Sequence, residues 1–153
     1  MVAPLEGVRV LEVANWLAAP SAAALMADMG ADVIKVEPPG GDIYRGFLLQ
    51  GLGYDFDFAT NYAFHLDNRG KRSVTVALDK PGGGELVRRM AADVDVFMHN
   101  LLPERTRKYG LTSTSWPPST RAWSTPTSPA TAPTARTPSA PASTTPLSGR
   151  VRV

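Results

Sequence analysis

Two short runs of apolar, β-branched residues, separated by a helix-like segment, constrain the fold more than any other feature of this sequence. Residues 8–13 (VRVLEV) and 32–36 (DVIKV) each have the composition of a buried parallel strand. Between them, Pro20 stands where a first helical residue is tolerated, and Gly30 ends the helical segment SAAALMADM. A strand, a helix and a strand in this order predict a βαβ unit with a right-handed crossover.

The same pattern recurs further along the chain. Residues 73–78 (SVTVAL) and 94–98 (VDVFM) are predicted strands, and residues 84–92 (GELVRRMAA) between them are a predicted helix. Residues 103–109 follow as a short helix that begins with proline and ends before a glycine. The sequence therefore predicts an open, parallel α/β sheet within residues 1–111.

The stretch between the two βαβ units has a different character. Residues 37–64 are rich in Pro, Gly, Asp and aromatic side chains and show no sustained hydrophobic period. We predict a long ordered loop there, or a loop that carries short helices. Long loops inside compact domains often carry function.

The composition changes abruptly after Leu111. Residues 112–153 contain 32 Thr, Ser, Pro or Ala among 42 positions, and they carry four Arg and no acidic residue. Residues 1–111 hold the other 12 basic side chains against 14 acidic ones, so the basic pI belongs to the tail. It does not indicate a nucleic-acid or membrane partner. With eight prolines and no period, the tail is predicted to be irregular and disordered.

Missing motifs disfavour several classes of function. The turn ANWLAAPS after the first strand lacks the glycine fingerprint of an NAD site, and the sequence contains no P-loop. There is no cysteine, and only His65 and His99 offer imidazole ligands, so a metal enzyme is disfavoured. We see no signal peptide and no apolar run of membrane-spanning length, and we expect a cytoplasmic protein.

Distinctive residues follow three of the predicted strands. Parallel sheets bind ligands at the carboxyl ends of their strands. The candidate segments there are residues 15–18, 38–42 and 99–101. Of these residues, Asn100 could hydrogen-bond a ligand amide or brace its own turn, and His99 is interpreted as a strand-end residue and not as a base. From the residues alone, the chain is an α/β ligand-binding domain of unknown substrate.

Charged residues near the strands allow two interpretations. Arg69, Lys71 and Arg72 precede the third predicted strand and suit phosphate oxygens. The alternative is a solvated basic turn, since most charged side chains stay exposed. Asp42 and Arg45 are predicted to form a local ion pair without a catalytic role.

Three longer segments carry a resemblance to a known family. The segments are LEGVRVLEVANWLAAPSAAALMADMGADVIKVEPPGGD, NRGKRSVTVALD and DVDVFMHNLLPERTRKYGL. In order and spacing, residues 4–111 resemble the start of family III (CaiB/BaiF) CoA-transferases. Such proteins have a Rossmann-like domain, form interlaced homodimers, and move coenzyme A from an acyl-CoA to a carboxylic acid. Their nucleophile is an aspartate that passes through acyl anhydride and CoA thioester intermediates.

The resemblance implies a coenzyme A site made of eight residues of this chain. By position they are Trp16 and Ala18 in the CoA channel, Val76 beside the adenine, Asn100 and Leu101 against the pantetheine or nucleotide portion, and Arg69, Lys71 and Lys108 near phosphates. The implied substrates are an acyl-CoA and a carboxylic acid acceptor, without metal, NAD, nucleic acid or membrane. Trp16, Leu17 and Ala19 depart from relatives, which often have smaller or more polar residues and a glycine before the proline, so the acyl pocket is expected to differ in shape.

The tail stands where such relatives carry their nucleophile. The family aspartate is expected at the position of Thr144, and the loop carboxylates Asp42 and Asp67 lie at other positions. If the tail is read out of frame by one base after Leu111, the codon at Thr144 is compatible with Tyr, His, Asn or Asp, and a nucleotide sequence can be written that encodes the tail in one frame and a family-like continuation with this aspartate in the other. We therefore predict that residues 112–153 are out of frame. We expect the chain as it stands to lack turnover.

The same codon argument separates the possible ancestries. Racemase relatives that isomerise 2-methylacyl-CoA typically carry a histidine directly before the aspartate. In the shifted reading, a histidine there would require a Ser143 codon that begins with AC or AT, and no serine codon does. The sequence therefore favours a CoA-transferase that lacks its nucleophile. The alternatives are a relative of α-methylacyl-CoA racemase and a non-catalytic CoA-binding fragment, and the family's dimer is doubtful for this chain.

Overall fold

In the part of the chain that the structure describes, five parallel strands form one sheet. The computed structural model describes residues 3–46, 61–112 and 120–124, and it describes residues 122–124 by their backbone alone. The strands are β1 (Arg9–Val13), β2 (Asp32–Glu37), β3 (Arg72–Thr75), β4 (Val96–His99) and β5 (Arg121–Ser124). Their order across the sheet is β3-β2-β1-β4-β5, and all four pairings are parallel.

Helices lie between the strands. They are α1 (Ala18–Asp28), α2 (Tyr62–Asn68), α3 (Gly83–Ala91) and α4 (Pro103–Lys108), together with a 3-10 turn at Ile43–Gly46. α1 connects β1 to β2, and α3 connects β3 to β4. Because the chain runs from β1 outwards to β3 and then returns to the other side of β1, the strand order reverses between β1 and β4. That reversal is the topological switch point of a doubly wound sheet, where such folds bind ligands.

The core consists of two apolar layers, one on each face of the sheet. Val10 of β1 and Val33 of β2 pack with buried alanines of α1, whose small side chains allow the helix to lie close to the sheet. Leu11 of β1 and Phe97 of β4 face the other way and pack with Val87 of α3. Successive residues of β1 thus point to opposite faces, as the pleat of a strand requires.

The predicted open, parallel α/β sheet is confirmed, with small differences in element bounds. The third strand was predicted to continue to residue 78, and this is wrong, because β3 ends at Thr75. The Leu78 amide donates to the Val76 carbonyl at 3.1 Å, so the chain turns sharply directly after β3. α2 occupies the end of the predicted loop and extends past it.

β5 was not expected, because it lies inside the tail that was predicted to be irregular. For Arg121–Ser124 that prediction is wrong. These four residues contain no proline and pair in parallel with β4, and the Thr120 hydroxyl donates to the carbonyls of Ala91 and Val94 at 3.2 and 3.3 Å. Residues 113–119 and 125–153 lie outside the described part of the chain.

Candidate coenzyme-binding site

A cavity of about 220 Å³ opens at the carboxyl ends of the strands. Its walls come from the ends of β1 and β2, from the segment after β3, and from α4 with residues on either side of that helix. The uncharged lining residues, most of them apolar, are Val13, Ala14, Asn15, Val36, Pro38, Val76, Leu78, Leu101 and Tyr109. The charged lining residues are Glu37, Asp79 and Arg105. This is the edge of the sheet at which the sequence predicts a ligand site.

A basic cleft adjoins the apolar cavity. The two spaces share Leu78, Asp79 and Tyr109 as lining residues. The second cleft, of about 370 Å³, is also lined by Lys80, Arg88 and Lys108, and by Glu85, which pairs with Arg88. An elongated ligand with an apolar ring system at one end and anionic groups at the other would match this change from apolar to basic walls.

Asn100 lies at the switch point and joins two turns. Its side-chain amide donates to the Asn15 carbonyl at 2.6 Å, and its side-chain oxygen accepts from the Asn15 amide at 3.2 Å. Asn100 therefore satisfies both backbone groups of one residue in the β1–α1 turn. It braces the neighbouring turn, which neither of the two interpretations from sequence included.

The remaining predicted site residues divide into two groups. Val76 and Leu101 line the apolar cavity, and Lys108 lines the basic cleft. Trp16 follows Asn15 in the β1–α1 turn, where it is 43% exposed and its ring centroid lies 5.8 Å from that of Tyr44, and Ala18 is the exposed first residue of α1. Trp16 also has a φ of 67°, a left-handed conformation that bulky residues rarely adopt.

The basic cluster before β3 is paired within the protein. Arg69 binds the carboxylate of Asp28, and Arg72 makes a bidentate pair with Asp32 at 2.6 to 3.0 Å. Lys71 is buried, although the sequence-based prediction required its ammonium to be open to a phosphate. Arg69 and Lys71 thus both have carboxylate partners within the protein, and their role as phosphate ligands stays a prediction.

Lys71 belongs to a buried ion network that sequence reasoning missed. Its ammonium donates to the Pro20 carbonyl at 2.8 Å and to Asn68 at 2.9 Å, and lies 2.7 Å from Glu12 Oε2. Burial lowers the pKa of Lys71, and the nearby Glu12 carboxylate opposes that effect. The Lys35 ammonium donates to Glu12 Oε1 at 2.9 Å and lies 2.8 Å from Asp42 Oδ2.

The predicted ion pair between Asp42 and Arg45 is wrong. Arg45 instead binds Glu37 through two hydrogen bonds of 2.6 and 2.7 Å, because the 3-10 turn brings its guanidinium over the end of β2. Glu37 also accepts from the Ser73 hydroxyl and the Asp42 amide. The hydrogen bonds from Arg45, followed by those from Ser73 and Asp42, overcome the opposing effect of burial and lower the pKa of Glu37 to about 2.

His99 ends β4, which confirms its interpretation as a strand-end residue. Burial lowers the pKa of its imidazole, which favours the neutral form.

Among the described residues, no group of three or more His, Asp and Glu could hold a metal ion. In the same part of the chain, no helix has the length and apolar character needed to cross a membrane.

Fold and site together define a class of protein: a doubly wound α/β domain with a cavity at the switch point, the place where such folds bind ligands. Residues 5–117 match the profile of CoA-transferase family III. The chain belongs to this family, as the resemblance of its sequence implied.

Individual relatives agree with this assignment. The chain is 45% identical over 113 residues to a succinate–glutarate CoA-transferase of Agrobacterium fabrum, covering 71% of this chain and 28% of that protein. It is 38% identical over 112 residues to the human succinyl-CoA:glutarate CoA-transferase, covering 72% and 24%. The crystal structure of a CaiB/BaiF family protein from Brucella suis superposes with a TM-score of 0.65 at 40% identity, covering 75% of this chain and 30% of that one. The chain thus spans 24% to 30% of the length of these relatives.

Proposed function

We propose that the strand-end cavity and the adjoining cleft bind the coenzyme A part of an acyl-CoA, and that the protein derives from a cytoplasmic CoA-transferase. The observation that carries this proposal is the pair of joined spaces at the switch point. One is apolar and the other is basic, and they lie in a member of a CoA-transferase family.

The walls of the two spaces fit the chemistry of coenzyme A. An adenine ring is flat and apolar on its faces, and Val76, Leu101 and Tyr109 offer apolar surface of that kind. Coenzyme A also carries phosphates, for which Lys108 provides a point charge in the adjoining cleft; Lys80 lines the same cleft, where its ammonium lies 3.9 Å from Asp79. Arg105 lines the apolar cavity and adds a guanidinium that can bind a phosphate through two hydrogen bonds.

Transfer of coenzyme A needs a nucleophile as well as a binding site. A carboxylate attacks the acyl-CoA thioester and forms an anhydride as the CoA thiolate leaves; the thiolate then attacks the enzyme carbonyl and releases the donor acid. The acceptor acid takes the coenzyme by the reverse of these steps. The family aspartate is expected at Thr144, outside the described residues, so we propose that the chain binds coenzyme A without turning it over. The names of the relatives favour succinate and other dicarboxylic acids as the ancestral donor and acceptor.

Calorimetric titration tests the binding site. We expect native protein to bind coenzyme A, and we expect Lys108→Ala to weaken this affinity by roughly three- to tenfold through loss of one phosphate contact. Pantetheine lacks the nucleotide phosphates, so its affinity should be the same for the native protein and the variant. Arg107→Ala is the matched control, because Arg107 is an exposed cation of the same helix that bonds to the Pro103 carbonyl.

Two results would contradict the proposal. One is the absence of binding heat for native protein at millimolar coenzyme A. The other is an equal loss of affinity in Lys108→Ala and Arg107→Ala, which would indicate attraction by net charge and no specific site. Turnover of acyl-CoA by the native chain would instead contradict the proposal that the chain lacks turnover, and it would be compatible with the proposed binding site.

A further inference from the structure

Four buried charges connect the two turns that form adjacent walls of the strand-end cavity. They are Glu12, Lys35, Asp42 and Lys71, which we call the buried ion network. Glu12 is 0%, Lys35 1% and Asp42 2% exposed, and the Lys71 side chain is 2% exposed. Glu12 and Lys35 lie on the face of the sheet that packs against α1, because they alternate along β1 and β2 with the residues of the other face.

The network holds the β1–α1 turn at both of its ends. Lys35 donates to the carbonyl of Ala14, which lines the cavity, at 2.8 Å. Lys71 donates to the carbonyl of Pro20, in the first turn of α1, also at 2.8 Å. Glu12 lies between the two ammonium groups and contacts one with each of its oxygens. The backbone from Ala14 to Pro20 is therefore fixed at two points.

The same network holds the turn after β2. Lys35 lies 2.8 Å from Asp42 Oδ2, and the other oxygen of Asp42 accepts from the Tyr44 amide at 2.9 Å. Residues 38–42 form the turn that begins at Pro38 in the cavity wall. A single ammonium group thus connects the two turns that form adjacent walls of the cavity.

The energetics favour a role in geometry over a role in stability. The two carboxylates and two ammonium groups of the network have no net charge. A further carboxylate, that of Asp67, lies close to Lys71 and accepts a hydrogen bond from the Ser21 hydroxyl. Removing such ions from water is so costly that apolar side chains of similar volume often stabilise a fold equally well. What apolar side chains do not supply is directional contact with two carbonyl groups.

The backbone of Trp16 gives independent support. Its positive φ lies in the middle of the turn that the network holds. A bulky residue in this conformation is strained and keeps it only where the surroundings over-determine the chain. The two fixed carbonyls, together with the brace from Asn100 to Asn15, supply that constraint.

We propose that the buried ion network is a set of positioning residues, which holds the Trp16 turn and the 38–42 turn in the arrangement that binds the ligand. The effect of the network on coenzyme A binding rests on the function proposed above. Its effect on the conformation of the Trp16 turn does not depend on any ligand.

The test is the double variant Lys35→Met/Asp42→Asn. It removes one charge of each sign, leaves the Glu12 and Lys71 pair in place, and keeps an oxygen that can accept from the Tyr44 amide. Both the variant and its parent carry Trp116→Phe and Trp123→Phe, so that Trp16 is the single tryptophan. The matched control is Arg72→Met/Asp32→Asn, which removes an exposed ion pair between the neighbouring strands.

The expected result is a change in geometry without loss of the fold. The circular dichroism spectrum and the cooperative unfolding transition should persist, while Trp16 emission and its quenching by acrylamide change and coenzyme A binds about tenfold or more weakly. The control should match the parent in all of these measurements.

Several outcomes separate the two proposals. Unchanged Trp16 emission and unchanged affinity in the folded double variant would overturn the positioning role, as would a loss of affinity no larger than the loss of folded protein. If the double variant does not fold, Lys71→Met/Glu12→Gln provides a second charge-balanced test, because it removes the other two opposite charges and leaves the Lys35 and Asp42 pair in place. Native Trp16 emission in that variant would overturn the proposal. If the parent binds no coenzyme A, the proposed function fails, and the Trp16 emission still decides the role of the network.

Discussion

At the scale of single residues, Glu37 shows how one carboxylate organises its surroundings. It lies at the end of β2, lines the cavity, and accepts hydrogen bonds from Arg45, Ser73 and the Asp42 amide. Arg45 also stacks over the ring of Phe64 at 4.0 Å, which links the 3-10 turn to α2. These donors stabilise the ionised form, and the pKa of Glu37 is therefore low.

The low pKa of Glu37 predicts a specific dependence of stability on pH. A folded-state pKa of about 2, against an ordinary value of 4.5, means that the ionised form stabilises the fold above pH 4.5 and that this contribution is lost as the pH falls towards 2. Because Arg45 is half exposed, we discount the contribution to about 2 kcal/mol. Urea unfolding gives the free energy of unfolding at each pH. Plotted against pH, the values for the native protein and for Glu37→Gln should converge as the pH falls from 5 to 2.

The control for this prediction is Asp28→Asn, which breaks the surface pair with Arg69. Exposed pairs contribute little, so its stability curve should run nearly parallel to the native one. A curve for Glu37→Gln that stays parallel to the native curve down to pH 2 would show that Glu37 is not held in its ionised form.

At the scale of elements, the sequence predicts what is periodic and local. The strands β1, β2 and β4 and the helices α1, α3 and α4 follow from apolar runs bounded by Gly and Pro. α2 was harder to predict because it has only seven residues and follows an aperiodic segment; Asn61, which caps it by accepting from the Phe64 amide, was its one local signal.

The buried ion network escaped sequence reasoning for a different reason. Its contacts join Glu12 to Lys35 and to Lys71, which are distant in the chain and meet only through strand register. The available signal was a charged residue in the middle of each of two apolar strands. In β1 and β2, such a residue must either face solvent or meet an opposite charge, and β1 and β2 occupy interior positions of the sheet.

Asn100, directly after β4, is hydrogen-bonded to Asn15 in the β1–α1 turn. Asn100→Ala should lower the free energy of unfolding by about 1–2 kcal/mol, because it leaves the amide and carbonyl of Asn15 without their partner. It should also weaken coenzyme A binding, since Asn15 lines the cavity. Chemical unfolding and calorimetry measure the two effects.

Asn61→Ala is the matched comparison for Asn100→Ala. Asn61 also makes hydrogen bonds to backbone groups, those of Phe64 and Tyr44, and a lost helix cap costs about 1 kcal/mol. It does not line the strand-end cavity, so its loss should reduce stability without a specific change in affinity. Equal changes of affinity in the two variants would mean that the brace between the turns has no special relation to the site.

At the scale of the whole molecule, two boundaries fall close together. The composition changes after Leu111, and the match to the family profile ends at residue 117. The sheet extends past both boundaries, because β5 pairs with β4. A strand needs only a short segment without proline beside an available edge, so β5 can form even in a tail of biased composition.

The coding DNA decides whether the tail is out of frame. We expect that one added base after the Leu111 codon continues the reading in a family-like sequence, with aspartate at the position of Thr144. The restored protein should then transfer coenzyme A from succinyl-CoA to a dicarboxylic acid, whereas the present chain should not, because only the restored chain supplies a carboxylate nucleophile. Replacement of that aspartate by alanine is the control, and it should abolish transfer while coenzyme A still binds. A coding sequence that gives no family-like continuation in the shifted frame would refute this origin of the tail.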